Sequence, residues 1–317
     1  MKLSILARLA TAAGALASCE PAPLVMGVLN PERSIAAPQA SEAPNCTLQR
    51  RASLPVTLAG LPMVMAVING QPSRLVLDTG AESSIISLQA AKRLGVTNKY
   101  DFARSMKGIA QSMQTGDARL DSMSLGGAKL AYPRVLVGPL ALSMGGLEPD
   151  GLLGASLLAD FDLDLDLPHR RLDLYAPTNC PSLRPPWSGP YTALETTRSL
   201  TSHPFFPIHV NGRTLSASLD SGAQRTVIAA AAAQRAGVSA ASRVPGSEVR
   251  ARGAAGEILP AELHRLADLR VGDVPVRTPV LVTALTLPND IDALLGADFL
   301  QSHRVWLSYE SRRLFIQ

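Results

Sequence analysis

Two short segments of this 317-residue chain carry the residue types that water-activating hydrolysis needs: Asp78-Thr79-Gly80-Ala81 and Asp220-Ser221-Gly222-Ala223, 142 residues apart. Each carboxylate directly follows an apolar alternation, Leu75-Val76-Leu77 in one copy and Ala217-Ser218-Leu219 in the other. A glycine two residues after the Asp lets the backbone approach closely, so that its N–H can donate to the carboxylate. Two acids held about 3 Å apart cannot both ionise, so one keeps a proton and the other serves as a base for water. That chemistry requires the two loops to meet across the axis of a duplicated fold. A lone Asp-(Ser/Thr)-Gly is expected by chance in roughly one chain in seven of this size. The surroundings of both copies therefore decide its meaning.

Those surroundings repeat. Leu152-Leu153-Gly154 and Leu294-Leu295-Gly296 each lie at the same distance beyond their Asp. The offset of 142 also relates Asn69-Gly70 to Asn211-Gly212, Leu94-Gly95-Val96 to Ala236-Gly237-Val238, Asp150 to Asp292, and Arg171-Leu172 to Arg313-Leu314. Between these points the offset drifts to 145 or 146 and then returns, as loop insertions within a common fold produce. The chain divides accordingly: 1–19 an export signal, 20–47 a tether, 48–176 the first lobe, 177–190 a proline-rich linker, and 191–317 the second lobe. Each repeat reads as a β-hairpin leading to the Asp strand, then a short helix (Leu88 to Leu94; Ala229 to Ala236) ended by glycine. A strand pair with a glycine tip, the Leu-Leu-Gly strand, a short helix capped by Ser156 or Asp298, and a terminal hairpin follow. The expected class is all-β with minor short helices.

Two Asp-(Thr/Ser)-Gly loops, each with its hydrophobic-hydrophobic-Gly strand, resemble the retropepsin and pepsin group of aspartic proteases. The likeness is to the exported bacterial form with two tandem repeats on one chain, and covers about 48–317. It implies a bilobal acid-protease barrel fold in which Asp78 and Asp220 are the catalytic dyad. That family is the standard example of the shared proton. It further implies that Thr79 and Ser221 hydrogen-bond across the lobe interface, that Gly80 and Gly222 support the carboxylates, and that Leu152, Leu153, Gly154, Leu294, Leu295 and Gly296 brace the two loops. The glycine tips at Gly108 and Gly253 fall where members carry a flap over the substrate. In pepsin-like relatives a hydroxyl often follows the motif's glycine, favouring the charged carboxylate; Ala81 and Ala223 supply none, so the dyad is expected to titrate higher. The implied substrate is an extended polypeptide, an envelope protein by location, cut by a monomer because both lobes share one chain. The rival from another class is a peptide-binding or scaffolding module that keeps this fold without catalysis.

Composition bounds the rest. The chain is 46% apolar and 18% charged, which supports packed cores, and aromatics make up only 4%. Its net charge of +4 is scattered without a basic block, which argues against nucleic-acid binding. Lys2 followed by an apolar stretch from Leu9 to Ala17 reads as an export signal, placing the protein in the periplasm. Leu16-Ala17-Ser18-Cys19 resembles a lipobox, making Cys19 a lipidation candidate and the N-terminus a membrane tether. Cys46 and Cys180 remain as an even pair flanking the first repeat, expected to form a disulfide in an oxidising compartment. No cofactor or metal site is expected: the five histidines lack ligand spacing, and Asp162, Asp164 and Asp166 lack the glycine of a calcium loop. Their alternation with Leu163, Leu165 and Leu167 predicts a half-buried strand with its acids facing solvent.

Overall fold

The computed structural model describes residues 45–96, 104–107, 112–140, 142, 145–198, 204–253, 258–287 and 291–317. The expected signal, most of the tether, Cys19 and Gly108 lie outside these residues. Strands dominate; the longest described α-helices, Leu88–Arg93 and Ala230–Arg235, are six residues each. Among the described residues no helix is long and apolar enough to cross a membrane.

The duplication is visible in the order of hydrogen-bonded strands. The first sheet runs Arg104–Lys107, Ser112–Arg119, Arg134–Gly138, Ile85–Ser87, Gly151–Leu153, Gln71–Leu77, Leu61–Ile68, Met123–Leu125, Ala128–Lys129. The second repeats that order with Arg243–Arg252, Ile258–His264, Val280–Thr283, Val227–Ala229, Ala293–Leu295, Arg213–Leu219, Pro204–Val210, Leu269–Val271, Val274–Pro275. In both, the Asp-bearing strand is central and pairs in parallel with the Leu-Leu strand, Leu75 opposite Gly151 and Ala217 opposite Ala293. A central strand buried on both faces explains why Leu75, Val76 and Leu77 are all apolar.

Local chemistry sets the turns. Asn69 (φ 48°) and Gly70 (φ 77°) join Ile68 to Gln71, and Asn211 (φ 49°) with Gly212 (φ 72°) does the same in the second lobe. Positive φ at both central positions is what a two-residue hairpin demands and what Asn-Gly tolerates. Each Asn side chain then donates to the carbonyl ending the neighbouring helix, Leu94 and Ala236 respectively, both at 3.1 Å.

A third sheet joins the lobes. Its six strands are Thr47–Pro55, Arg171–Thr178, Asp162–Asp166, Val305–Ser308, Arg313–Ile316 and Thr192–Glu195 in spatial order. The two lobes meet at its centre, where Asp164 lies opposite Trp306 and Leu163 opposite Leu307. Asp164 and Trp306 are themselves 142 apart, so this pair marks the pseudo-two-fold axis. Below it, Leu153, Leu163 and Leu165 of one half and Leu295, Phe299 and Leu307 of the other share one continuous apolar core.

This sheet corrects the reading of the three acids. Asp162, Asp164 and Asp166 do form a strand, but they are 1%, 1% and 3% exposed and do not face water. The second face of the sheet is covered by Tyr175, Trp187, Trp306, Tyr191 and Phe315. The acids survive burial because each is supplied with donors. Asp164 accepts from Arg304 Nε and Nη2 at 2.9 and 2.6 Å and from the Trp187 indole N–H at 3.2 Å. Asp162 accepts from the Trp306 indole at 3.3 Å and the Tyr309 N–H at 2.9 Å. Asp166 is held by His169 at 2.7 Å and Arg171 at 3.0 Å. The segment after the first lobe lies on this cover, with Cys180 and Leu183 buried in it. A disulfide joins Cys46 to Cys180, whose Cα atoms are 4.7 Å apart.

Candidate active site

Asp78 and Asp220 emerge at the ends of equivalent central strands, each with its N–H given to the Leu-Leu-Gly strand: Asp78 to the Leu153 carbonyl at 3.0 Å, Asp220 to Leu295 at 2.9 Å. The chain then turns back sharply. Ala155 donates to the Ala81 carbonyl at 2.8 Å and Ala297 to Ala223 at 2.7 Å, so the brace grips each loop on both sides of its Asp. The crossing leaves no room for a side chain at the brace glycines. A Cβ on Gly154 would lie 2.7 Å from the Ala81 carbonyl oxygen, and one on Gly296 would lie 2.4 Å from the Arg225 carbonyl carbon.

Four reciprocal hydrogen bonds tie the two loops. The Thr79 N–H donates to Ser221 Oγ and the Ser221 N–H to Thr79 Oγ1, both at 3.0 Å. The hydroxyls reach further across: Thr79 Oγ1 donates to the Leu219 carbonyl at 2.9 Å and Ser221 Oγ to Leu77 at 2.7 Å. Both side chains are fully buried, so this lattice leaves no orphan donor or acceptor at the seam.

The lattice brings the carboxylates together. Each motif glycine packs against the opposite lobe's Asp: a Cβ on Gly80 would sit 2.3 Å from Asp220 Cγ, and one on Gly222 2.4 Å from Asp78 Cγ. Each glycine N–H also donates to its own Asp, Gly80 to Asp78 Oδ1 at 3.1 Å and Gly222 to Asp220 Oδ1 at 2.9 Å. The Ala223 N–H adds a second donor to Asp220 Oδ1 at 3.0 Å. Asp78 titrates well above the ordinary carboxylate range. Burial is the largest cause, followed by the charge of Asp220 and then a hydrogen bond with it; the Ala81 and Gly80 N–H groups oppose the rise. Both aspartates nevertheless keep an open edge to solvent. The arrangement can therefore hold one proton between two carboxyls beside a place for water.

Two supporting pairs escaped the sequence reading. Ser156 and Asp298 do not cap their helices, whose N-cap positions are Gly154 and Gly296 with no side-chain bond. Each instead accepts from the chain just beyond the Asp loop: Ser156 Oγ from the Ser84 N–H at 2.9 Å, and Asp298 Oδ1 from the Thr226 N–H at 2.8 Å. Ser84 and Thr226 have a defined part as well, their oxygens accepting from Gly154 at 2.9 Å and Gly296 at 3.2 Å. Comparing the repeats holds the clue, because hydroxyls recur at 84 and 226 and acceptors at 156 and 298.

Equivalent hairpins stand at the edge of each sheet. In the first lobe Lys107 pairs with Ser112, and the flap candidate Gly108 lies outside the described residues. In the second, Arg252 pairs with Ile258, and Gly253 follows the end of its strand. Apolar clusters lie beneath them, including Ile85, Met113, Leu136 and Leu152 in one lobe and Val227, Ala261 and Leu281 in the other. Among the described residues no group of three or more His, Cys, Asp or Glu side chains could hold a metal ion.

A family model described as aspartyl protease matches residues 64–157 and 206–299. Each stretch spans one Asp loop and its Leu-Leu-Gly brace. Among solved structures the chain is similar to a retropepsin-like aspartic protease from Rickettsia conorii, at 21% identity over 42% of this chain and 96% of that one, with a TM-score of 0.33. No curated protein matches it.

Proposed function

We propose that this chain, which belongs to the aspartyl protease family, hydrolyses internal peptide bonds of extended polypeptides, with Asp78 and Asp220 acting as one water-activating dyad. The observation that carries this reading is the reciprocal packing of Gly80 against Asp220 and Gly222 against Asp78. It forces two carboxyls into one site and supports a single shared proton.

In the proposed reaction the ionised carboxylate takes a proton from a water lying between the two acids. The water oxygen adds to the peptide carbonyl carbon, and the protonated carboxyl donates a hydrogen bond to the developing oxyanion. Breakdown of the tetrahedral intermediate returns a proton to the leaving nitrogen, breaks the C–N bond and restores the dyad with one proton. The titration belongs to the pair, so neither carboxyl is tied to one role. The buried lattice of Thr79 and Ser221 would keep the acids at constant separation throughout. Closure of the two edge hairpins would orient the substrate and exclude bulk water. The envelope setting, with a polypeptide of another envelope protein as substrate and the N-terminus as tether, rests on the export-like sequence and the oxidised Cys46–Cys180 pair.

The test compares cleavage of an unfolded protein by wild type, Asp78→Ala and Asp220→Ala, with and without pepstatin. Activity present in the wild type, blocked by pepstatin and lost in both variants is expected. Equal activity in the variants, or none in a folded wild type, ends the proposal.

A further inference from the structure

We infer that His264 is an acid-operated clasp at the base of the second lobe's edge hairpin, a positioning residue that tightens the hairpin when its ring is protonated. The hairpin is anchored only part of the way along its length. Ala261 to His264 pair with Val280 to Thr283, and the Thr283 hydroxyl donates to the Pro260 carbonyl at 2.8 Å. Beyond that point Arg250 to Arg252 and Ile258 to Pro260 pair only with each other. At the anchored end the register breaks: Arg243 lies opposite His264, yet Glu248 lies opposite Glu262, so Val244 to Ser247 together face Leu263 alone. Gly246 takes φ +69° within this bulge. A bulge of this kind bends a strand and marks where the hairpin can pivot.

The buried ring of His264 sits at that pivot, 5% exposed. Its Nδ1 is 2.9 Å from Ser242 Oγ, and its Nε2 is 3.5 Å from Glu262 Oε2. The proton positions follow from counting. Ser242 Oγ lies 2.8 Å from the Ser239 carbonyl, which can only accept, so the single hydroxyl proton is spent there. The imidazole must then present Nδ1–H to Ser242, which leaves Nε2 to face a carboxylate. In the neutral ring that is a lone pair against an acceptor. Protonation turns it into a charge-assisted donor. The other charged group of the cluster is Arg243, 3.0 Å from the same Glu262 oxygen. The strand packed on the far side offers Val280 opposite His264, and Arg265 contributes its backbone N–H to the Ser242 carbonyl at 2.8 Å. Among the described residues, then, Glu262 is the acid and Arg243 the cation that the ring meets.

The first lobe supplies an internal control. Leu136 donates to Ser84 and Leu281 to Thr226, both at 2.8 Å, which aligns Val135 with Val280. Opposite Val135 stands Ala118, and opposite Val137 stands Gly116. These are the places that His264 and Glu262 take in the second lobe, so the first hairpin carries no such clasp.

The experiment is hydrogen exchange resolved to the second hairpin, corrected for intrinsic rates, between pH 5 and 8. In the wild type, protection of Ser247–Arg252 and Ile258–Leu263 should rise about two- to fivefold on acidification, as a half-exposed ion pair supports. His264→Gln and Glu262→Gln should flatten the dependence, while Ser112–Arg119 of the first hairpin stays flat in all. A wild-type hairpin without pH dependence, or variants that keep it, would overturn the inference. Glu262→Gln retains the Ser242 contact and tests the same bond if His264→Gln does not fold. The link to substrate rests on the peptidase reading, but exchange reports backbone opening and not turnover, so either idea can fail alone.

Discussion

Removing the Ser221 hydroxyl should cost the fold more than an ordinary buried serine. Ser221→Ala deletes the acceptor of the Thr79 N–H and the donor to the Leu77 carbonyl, at 3.0 and 2.7 Å. Both backbone groups lie at a seam where Thr79 is 1% and Ser221 0% exposed, so water does not replace the lost partner. An orphaned buried polar group costs about 1–3 kcal/mol, which puts the variant roughly 2–6 kcal/mol below wild type. At roughly 2–4 °C per kcal/mol for a protein of this size, the melting midpoint should fall by about 5–20 °C. Thr79→Val removes the other two bonds, to Leu219 and from Ser221, and should cost a similar amount. The double variant should be less unstable than the two costs added, because the first loss already lets the loops part; a coupling of about 0.5–3 kcal/mol is expected. Thr79→Ser keeps the hydroxyl and should melt close to wild type. Calorimetry with denaturant titration measures all four. A Ser221→Ala midpoint within 1–2 °C of wild type, roughly the shift of a neutral surface change, would refute the claim that this lattice holds the lobes together.

Gly222→Ala and Gly80→Ala place a methyl where Asp78 or Asp220 already lies, within 2.4 Å and 2.3 Å of its Cγ. A displacement of about 1 Å at a reacting group costs on the order of a hundredfold, so turnover should fall at least that far while far-UV circular dichroism stays native; near-wild-type turnover would contradict the packing. The raised titration of Asp78 has a signed consequence for stability. The native carboxyl keeps its proton at pH values where the unfolded one has released it, so this group's contribution weakens as pH rises from the unfolded value through the folded one. Asp220→Asn removes a neighbouring charge and should shrink that loss in a plot of unfolding free energy against pH; an unchanged or steeper loss argues against coupling. Ala81→Ser offers Asp78 a donor that alanine lacks, so the basic limb of the pH–rate profile should move to lower pH; an upward shift would be inconsistent with it. Cys46→Ser opens a cross-link spanning 134 residues, which in the chain-entropy model costs about 5 kcal/mol. Reduced and variant proteins should lose similar stability in denaturant titrations, and no loss in either would show that the bridge contributes nothing.

What could be read from the chain were features whose cause is local or repeated. Asn69-Gly70, Gly95 and the paired Asp loops each impose a backbone state on their own neighbourhood, and each has a twin one repeat away. The acids at 162, 164 and 166 could not be read so. Their period of two was correct, but which face meets water depends on Trp187 and Arg304, residues distant in sequence that close over the sheet. The same limit made Ser156 look like a helix cap when its partner is Ser84 across the brace. Duplication separates the two kinds of residue. Where the halves agree in chemistry, as at Thr79 and Ser221 or Ser84 and Thr226, the position serves the geometry that both aspartates need. Where they disagree, as Asp162 with Arg304 or Ala118 with His264, the site itself does not require the residue, and its role must be sought in what distinguishes one lobe from the other. Asp164 and Arg304 illustrate the point: their twins are Trp306 and Asp162, so the ion pair on one side of the axis is matched on the other by an indole N–H donated to a carboxylate.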